Sequence, residues 1–337
     1  MKIAIHHRPG SFSERWIEYC NNNNIDYKIV DAYSSDIVNQ VSDCNAFMWH
    51  HHHADAKGTL FAKQLIYSLE TAGIRCFPNF NTTWHFDDKV GQKYLLEAID
   101  APLVPSYVFY TKKKALEWIR QTSFPKVFKL RGGAGSKNVM LVRTSNEAVK
   151  LVNRAFGKGF SQTSIRTLVS EDCRKVREGK MSTIVLLKDI VAYYLKPGTF
   201  HKAYHAEKGY AYFQDFIPNN SFDIRVCLVA NHAFAIKRIV RKGDFRASGS
   251  GCFVYAKSEI DERCVQIAFE INKRLKTQSI AIDFVFDSKN NPMILEISYG
   301  FATNAYDKCE GWWDQQLNWH PGERFDFCGW MVEEVIK

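Results

Sequence analysis

The chain has 337 residues, 46% of them hydrophobic and 14% aromatic, with 45 Lys and Arg against 36 Asp and Glu for a formal charge of +9. That composition can bury a substantial core and excludes an intrinsically disordered chain, and the length suits two or three domains. The charge is uneven: Lys112 to Arg246 hold 27 basic and 10 acidic residues, a net of +17, which leaves −8 for the remainder. A basic middle between acidic flanks fits a segment that meets polyanions, either nucleic acid or nucleotide phosphates. No apolar run approaches the roughly 20 residues of a spanning helix, and MKIAIHHRPG lacks the apolar stretch of a secretory leader, so a cytoplasmic protein with no membrane span is expected. Nine scattered cysteines with no CxxC pair fit reduced thiols.

The opening segment alternates strand and helix. Lys2 to His6 reads as a buried strand, Ser11 and Glu14 as a capping box for a helix to about Asn22, Tyr27 to Tyr33 and Ala46 to His50 as strands, and Leu60 to Ala72 as a helix ended by Gly73. This rhythm predicts a small parallel sheet whose carboxyl-end loops, His6 to Ser13 and His50 to Lys57, are ligand positions. Asp87 to Ile99 reads as an amphipathic helix stopped by Pro102 and Pro105, followed by a helix over Lys113 to Thr122 and a β-hairpin from Val127 to Val142. Within 158–210, Ser182 to Leu187 and Ile190 to Leu195 are β-rich runs parted by Lys188-Asp189, which predicts an inserted hairpin. Then come strands over Asp223 to Val229, Ala233 to Val240, Ile280 to Phe286 and Met293 to Ile297, with a helix over Glu262 to Leu275, an α+β segment with an antiparallel sheet.

Three constellations carry chemistry. In AIDFVFDSKNNPMILEIS the midpoint of Asp283 and Glu296 falls inside the Ser288 to Pro292 turn, so a symmetric hairpin sets the two carboxylates opposite each other. Ser298, two residues on, shares the face of Glu296. Opposed carboxylates on an apolar hairpin repel unless a cation lies between them, and such oxygen donors suit Mg²⁺ or Mn²⁺. The alternative is a carboxylate paired with an arginine or turned to solvent. In FPKVFKLRGGAGSKNVMLV, two apolar strands flank a Gly-rich turn whose amides can approach phosphate, with Lys129 on the incoming strand; the spacing is not that of a Walker A loop. In the stretch from Tyr212 to Gly251, Asp223, Arg225 and Arg238 stand on apolar strands, where an unpaired charge is costly, so they face either a polar site or a surface ion-pair ladder. Trp312, Trp313, Trp319 and Trp330 crowd the last segment, which reads as packing on the core or as a stacking surface for sugars.

Taken in order, DDK, VFKLRGGAGSKNV, QDFI, DIRV, KGDFR, AIDFVFD and LEIS resemble the ATP-grasp superfamily, in the branch of the ribosomal-protein glutamate ligases and related carboxylate–amine ligases. The resemblance implies an α/β (α+β) ATP-grasp fold: an amino-terminal βαβ domain over 1–87, a central subdomain over 88–211 with an insertion near 158–210, and a carboxy-terminal antiparallel-sheet subdomain over 212–337 with the Trp-rich tail. It implies that Lys89 and Lys129 touch the nucleotide phosphates, that Gly133, Gly135 and Ser136 belong to a flap over them, that Gln214, Asp215, Phe216 and Ile217 form the adenine hinge, and that Asp223 lies near the nucleotide. It implies Asp283, Glu296 and Ser298 as metal ligands and Arg246 at the reaction centre; Arg238, a charge on an apolar strand, is the candidate for gripping the acceptor carboxylate. ATP and Mg²⁺ (or Mn²⁺) follow as cofactors, and the activity that follows is an ADP-forming ligase joining a small carboxylate to an amine through an acyl phosphate.

Two departures from the family pattern stand out. Ser298 replaces an Asn ligand, and Ala247-Ser248 replace a polar Asn after Arg246. The tryptophan-rich tail points to a glycan-linked acceptor, an amino acid or uronic acid in surface polysaccharide synthesis. No nucleic-acid partner is expected, and a homodimer is compatible with the resemblance. Two other readings stand beside the ligase: a nucleotide-binding protein of this fold without ligase activity, and nucleic-acid binding through the basic middle.

Overall fold

The computed structural model describes residues 1–53, 55–133, 138–160, 169, 173, 176, 181–195, 206–241, 245–246, 250–322 and 325–337. The chain divides into two units, one made of Met1–His52, Gly58–Val104 and Ile217–Lys337, the other of His53–Lys57 and Pro105–Phe216.

The first unit opens with four parallel strands, β1 (Lys2–His6), β2 (Asp26–Val30), β3 (Ala46–Trp49) and β4 (Arg75–Phe77), in the order β2-β1-β3-β4. All four residues of β3 are buried, as a strand covered on both faces requires. Helix α1 (Phe12–Asn22) starts where the Ser11 hydroxyl accepts a bond from the Ser13 amide, and it buries Phe12, Trp16 and Cys20. Helices α2 (Ile37–Gln40), α3 (Ala56–Thr71), α4 (Phe80–Thr83) and α5 (Lys89–Ala98) follow. Ala62, Ile66 and Leu69 of α3 pack with Phe47 and Trp49. The βαβ reading of the opening segment holds.

The second unit is built on an antiparallel sheet of β5 (Ser106–Phe109), β6 (Lys126–Lys129), β7 (Val139–Val142) and β8 (Ala211–Asp215), in the order β5-β8-β6-β7. Helices α6 (Lys112–Gln121) and α7 (Ser145–Ala155) bury Ala115, Ile119, Ala148 and Val152 with Phe128 and Phe213 of the sheet. The expected hairpin from Val127 to Val142 is β6 with β7. The hairpin expected within 182–195 is not formed: Thr183–Leu195 is one helix, α8. Lys188-Asp189 is not a turn pair, and two short aliphatic runs can be read as strand or helix until their continuity over 13 residues decides for helix.

The remaining strands return to the first unit. β9 (Phe222–Val229), β10 (His232–Ile239), β11 (Phe253–Val254), β12 (Ser279–Phe286), β13 (Pro292–Ser298), β14 (Gly311–Trp313) and β15 (Trp319–Pro321) make an antiparallel sheet in the order β13-β12-β9-β10-β14-β15, with β11 also on β10. Helix α9 (Glu262–Leu275) begins at the Asp261 cap and stops where Lys276 turns left-handed. Helix α10 (Phe327–Ile336) lies against α1. The parallel and antiparallel sheets share one core, in which Ile5, Trp16 and Met48 meet Phe234, Phe301 and Phe327. Arg15 clamps Asp307 with two bonds of 2.8 Å, and the Tyr19 hydroxyl donates to Glu333 at 2.8 Å.

Of the two readings of the tryptophan-rich tail, the structure shows packing. Trp313 is buried, Trp312 stacks on His320 at 4.0 Å, and Trp330 stacks on His232 at 3.9 Å. Gly311 is required by the tight β14–β15 contact, since a Cβ there would stand 2.2 Å from the His320 carbonyl oxygen. Gly311→Ala is therefore expected to cost more than about 1 kcal/mol, while Gly322→Ala, with nothing within 4 Å, stays within about 0.5 kcal/mol in urea unfolding.

The histidine run after β3 turns inward. His50 is buried, accepts the Phe12 amide on Nδ1 at 3.0 Å and stacks on the Phe12 ring at 3.8 Å. His51 is buried with Nε2 bonded to the Thr83 hydroxyl, and its carbonyl accepts the Tyr299 hydroxyl. His51 Nδ1 and both ring nitrogens of buried His85 have no hydrogen-bond partner among the described residues. Burial pushes His51 down to about 3 and His85 to about 4, so both are neutral in the fold. The unfolded chain protonates first, near pH 6.5, so stability is complete above that pH and falls below it by about 1.4 kcal/mol per pH unit for each histidine. Urea unfolding of His85→Phe at pH 7, 6 and 5 is expected to show a shallower loss than the parent chain by about one histidine's share; equal slopes would show that His85 does not carry this effect.

Candidate active site

The register of the antiparallel sheet assembles a row of charges on one face. Asp223 and Arg225 are two apart on β9 and so point the same way. Arg238 on β10 pairs with Asp223, and Asp283 on β12 pairs with Arg225. Glu296 on β13 pairs with Asp283 as the hairpin reading requires, but not through a symmetric hairpin. Next to the turn Phe284 pairs with Ile294; a register shift between Asp283 and Phe284 then moves β13 by one residue, and only beyond it does Glu296 stand opposite Asp283.

The side chains close into an ionic quartet. Arg225 donates from Nε and Nη2 to the two oxygens of Asp283, the second bond measuring 2.7 Å. Arg238 donates from Nε and Nη2 to Asp223 at 2.6 Å each, and its Nη2 lies 2.7 Å from Asp283 Oδ2. Asp223, Arg238 and Asp283 are buried. The two guanidiniums and two carboxylates cancel, which is what allows four charges inside an apolar sheet. Burial alone would raise Asp283, but Arg225 and Arg238 outweigh it and hold this carboxyl well below the usual range. Asp223, bonded among the described residues to Arg238, is raised because burial prevails. The surface ladder considered from the sequence is thus a buried network.

The row ends at Glu296, whose side chain is 32% exposed and lies 3.8 Å from Lys89 Nζ. Lys89 is buried at the first turn of α5, which Asp88 caps through the Gly91 amide at 2.9 Å. Gln92 ties that helix to β13, accepting the Ile297 amide at 3.3 Å while donating to the His85 carbonyl at 3.1 Å. The Ser298 hydroxyl donates to the Gly300 carbonyl at 2.9 Å.

The other named residues fall as follows. In the second unit Lys129 is buried on β6, and Gln214 is buried on β8 with Nε2 donating to the Ser106 hydroxyl at 3.1 Å. Asp215 accepts Lys126 Nζ at 2.6 Å; Lys126, over the Tyr107 ring at 5.5 Å, is a buried cation the sequence reading passed over. Gly133 sits at φ +106°, where a Cβ would lie 2.3 Å from Asn138 Nδ2. Gly135 and Ser136 lie outside the described residues. Phe216 and Ile217 follow β8, both half-buried. Arg246, half-buried, stands 5.5 Å from the Phe245 ring, and its neighbours Ala247 and Ser248 lie outside the described residues. Arg225 was placed at a polar site by its apolar strand, but its bond to Asp283, 58 positions away, carries no local signal.

Among the described residues, no group of three or more His, Cys, Asp or Glu is placed to hold a metal ion. Asp283 and Glu296 nonetheless offer adjacent carboxylates, the donor type of Mg²⁺. Counted over the described residues, Asp283 gives three of its roughly four lone-pair positions to arginine, which leaves at most one for a cation.

Residues 201–312 match the family model described as the RimK-like ATP-grasp domain. Among solved structures, a RimK domain ATP-grasp protein from Sphaerobacter thermophilus superimposes with TM-score 0.59 at 14% identity over 100% of both chains. D-cycloserine synthetase DcsG gives 0.59 at 13% identity over 99% of this chain and 100% of its own. D-alanine–D-alanine ligase from Bacillus anthracis, solved with ATP, gives 0.54 at 12% over 91% of each. No curated protein matches the chain in sequence. The chain has the ATP-grasp fold, and the RimK-like match, a third of the chain, falls on the strands that carry the ionic row.

Proposed function

We propose that the chain is an ATP-dependent carboxylate–amine ligase, and the observation that carries this reading is the ionic row ending in paired Asp283 and Glu296. A substrate carboxylate oxygen attacks the γ-phosphorus of ATP and the bond to ADP breaks, giving an acyl phosphate. An amine then attacks the acyl carbon, inorganic phosphate leaves, the amine loses a proton and an amide remains. The phosphoryl group is the one whose charge must be met by fixed cations. Lys89, Lys129 and Arg246 are the cations this reading gives to that charge, while Asp283 and Asp223 neutralise Arg225 and Arg238 and hold their planes.

The proposed roles follow the row outward. Lys89 and Lys129 meet phosphate oxygens, Gly133 with Gly135 and Ser136 supplies backbone amides, and Gln214 to Ile217 with Asp223 serve the nucleotide. Arg246 acts at the reaction centre, and Arg238 reaches the acceptor carboxylate. Asp283 and Glu296 would hold Mg²⁺, with Ser298 as a weaker oxygen donor; bound there, Mg²⁺ neutralises phosphate charge. The domains proposed for this reading are 1–87, 88–211 and 212–337. D-cycloserine synthetase and D-alanine–D-alanine ligase, both similar in fold, support an amide-forming reading by their names.

A second reading, nucleotide binding without ligation, draws on Ser298, whose hydroxyl is turned to the Gly300 backbone. Phosphate release from ATP with a panel of amino acids and uronic acids as carboxylates, against a panel of amines, separates the two. Nucleotide binding without turnover for any pair would establish the second.

Two substitutions are expected to divide chemistry from stability. Glu296→Gln lowers turnover at least about a hundredfold while its unfolding free energy stays within about 0.5 kcal/mol. Asp283→Asn also lowers turnover but costs about 3–5 kcal/mol of stability, because it leaves buried guanidiniums short of a counter-charge. Equal stability of the two variants would contradict the quartet's part in holding the sheet.

A further inference from the structure

Helix α8 turns the wrong side outward for a helix that completes a core. None of the described side chains from Thr183 to Val191 is buried, and Ile184, Val185, Leu187 and Val191 are 67%, 42%, 60% and 55% exposed. At about 100° per residue, Ile184, Leu187 and Val191 fall within about 60° of one another. Leu186 and Asp189, both half-buried, lie on the other side, and half-buried Ile190 lies about 60° from Leu187 at the edge of the stripe. Core-facing helices show the reverse pattern, apolar inside and polar outside. A clustered aliphatic face of this kind marks an interaction surface.

Charge selects the occupant. Lys188 is exposed beside the aliphatic stripe, and the one acid among the described side chains of the helix, Asp189, is on the far side. Lys188 is also next to the helix midpoint. Two copies meeting face to face, parallel or antiparallel, would set Lys188 against Lys188, a like-charge contact beside apolar surface. The sequence adds Arg174, Lys175, Arg177 and Lys180 before the helix and Lys196 and Lys202 after it, against Glu178 and Asp189 alone between 174 and 202. An apolar surface bordered by negative charge complements both features. The helix has 13 residues, too few for the roughly 20 of a span, so it would lie along such a surface.

We propose that α8 is an interfacial anchor for an anionic lipid bilayer, with Ile184, Leu187 and Val191 among the acyl chains and Lys188 extended to the headgroup phosphates. The proposal stands apart from the ligase reading and needs no catalytic residue.

The test is co-sedimentation of the full chain with phosphatidylcholine vesicles, alone or containing about a third phosphatidylglycerol. Sedimentation with the anionic vesicles only, weakening with salt, is expected. Lys188→Glu is expected to lower the partition coefficient about tenfold, and the pair Leu187→Gln with Val191→Gln to lower it at least as much. Both variants should keep the parental unfolding midpoint, since these side chains are exposed. Three results would overturn the proposal: no sedimentation with anionic vesicles at low salt, binding that ignores the Leu187 and Val191 changes, or a lipid-free dimer in sedimentation equilibrium that those changes dissolve, which would give the face to a second copy of the chain.

Discussion

Four charges sealed in a sheet must be mutually satisfied, and the chain's architecture follows from that demand. Arg225 and Arg238 each need a carboxylate within bonding distance, and Asp283 serves both. Removing any member leaves a buried charge uncompensated, which costs far more than the intact network contributes. The network therefore works chiefly as a specification. A one-residue slip of β12 against β9 would carry Asp283 to the other face and away from Arg225, so the only tolerable register is the observed one.

The row is also uneven in exposure. Asp223, Arg238 and Asp283 are buried; Arg225 is partly exposed; Glu296, with Lys89 beside it, stands at the accessible end. An anion approaching this face meets the half-exposed groups first, while the buried ones hold the geometry behind them. Water has little access to the inner bonds, so their orientation is not renegotiated when a charged group arrives.

Features with a local cause were legible in the sequence. Helix α9 has the bounds expected from the sequence, and both of its ends have local causes, the Asp261 cap at the start and Lys273 and Arg274 in the last turn. The pairing of Asp283 with Glu296 was also legible, although for a partly wrong reason: symmetry about the turn alone would have ended one residue out, and the register shift restores the match. The shift depends on how β12 is held by β9, which no hairpin sequence records. The failures share this non-local character. Thr183–Leu195 offers strand-like runs whose helical identity rests on continuity, and the partners of Arg225 and of the Tyr299 hydroxyl are 58 and 248 positions away.

The shared core of the two sheets in the first unit sets an order of events during synthesis. Trp16 and Phe12 on α1 are covered by groups that include Phe301, Phe327 and Met331, which emerge about 300 residues later. At roughly 5–20 residues per second the aromatic face of α1 waits on the order of 15–60 s for its cover. The second unit is drawn from 53–57 and 105–216, so all its residues leave the ribosome before the antiparallel sheet of the first has been made. The part translated first is thus among the last to be finished, and the nascent chain carries an exposed aromatic surface for most of its own synthesis.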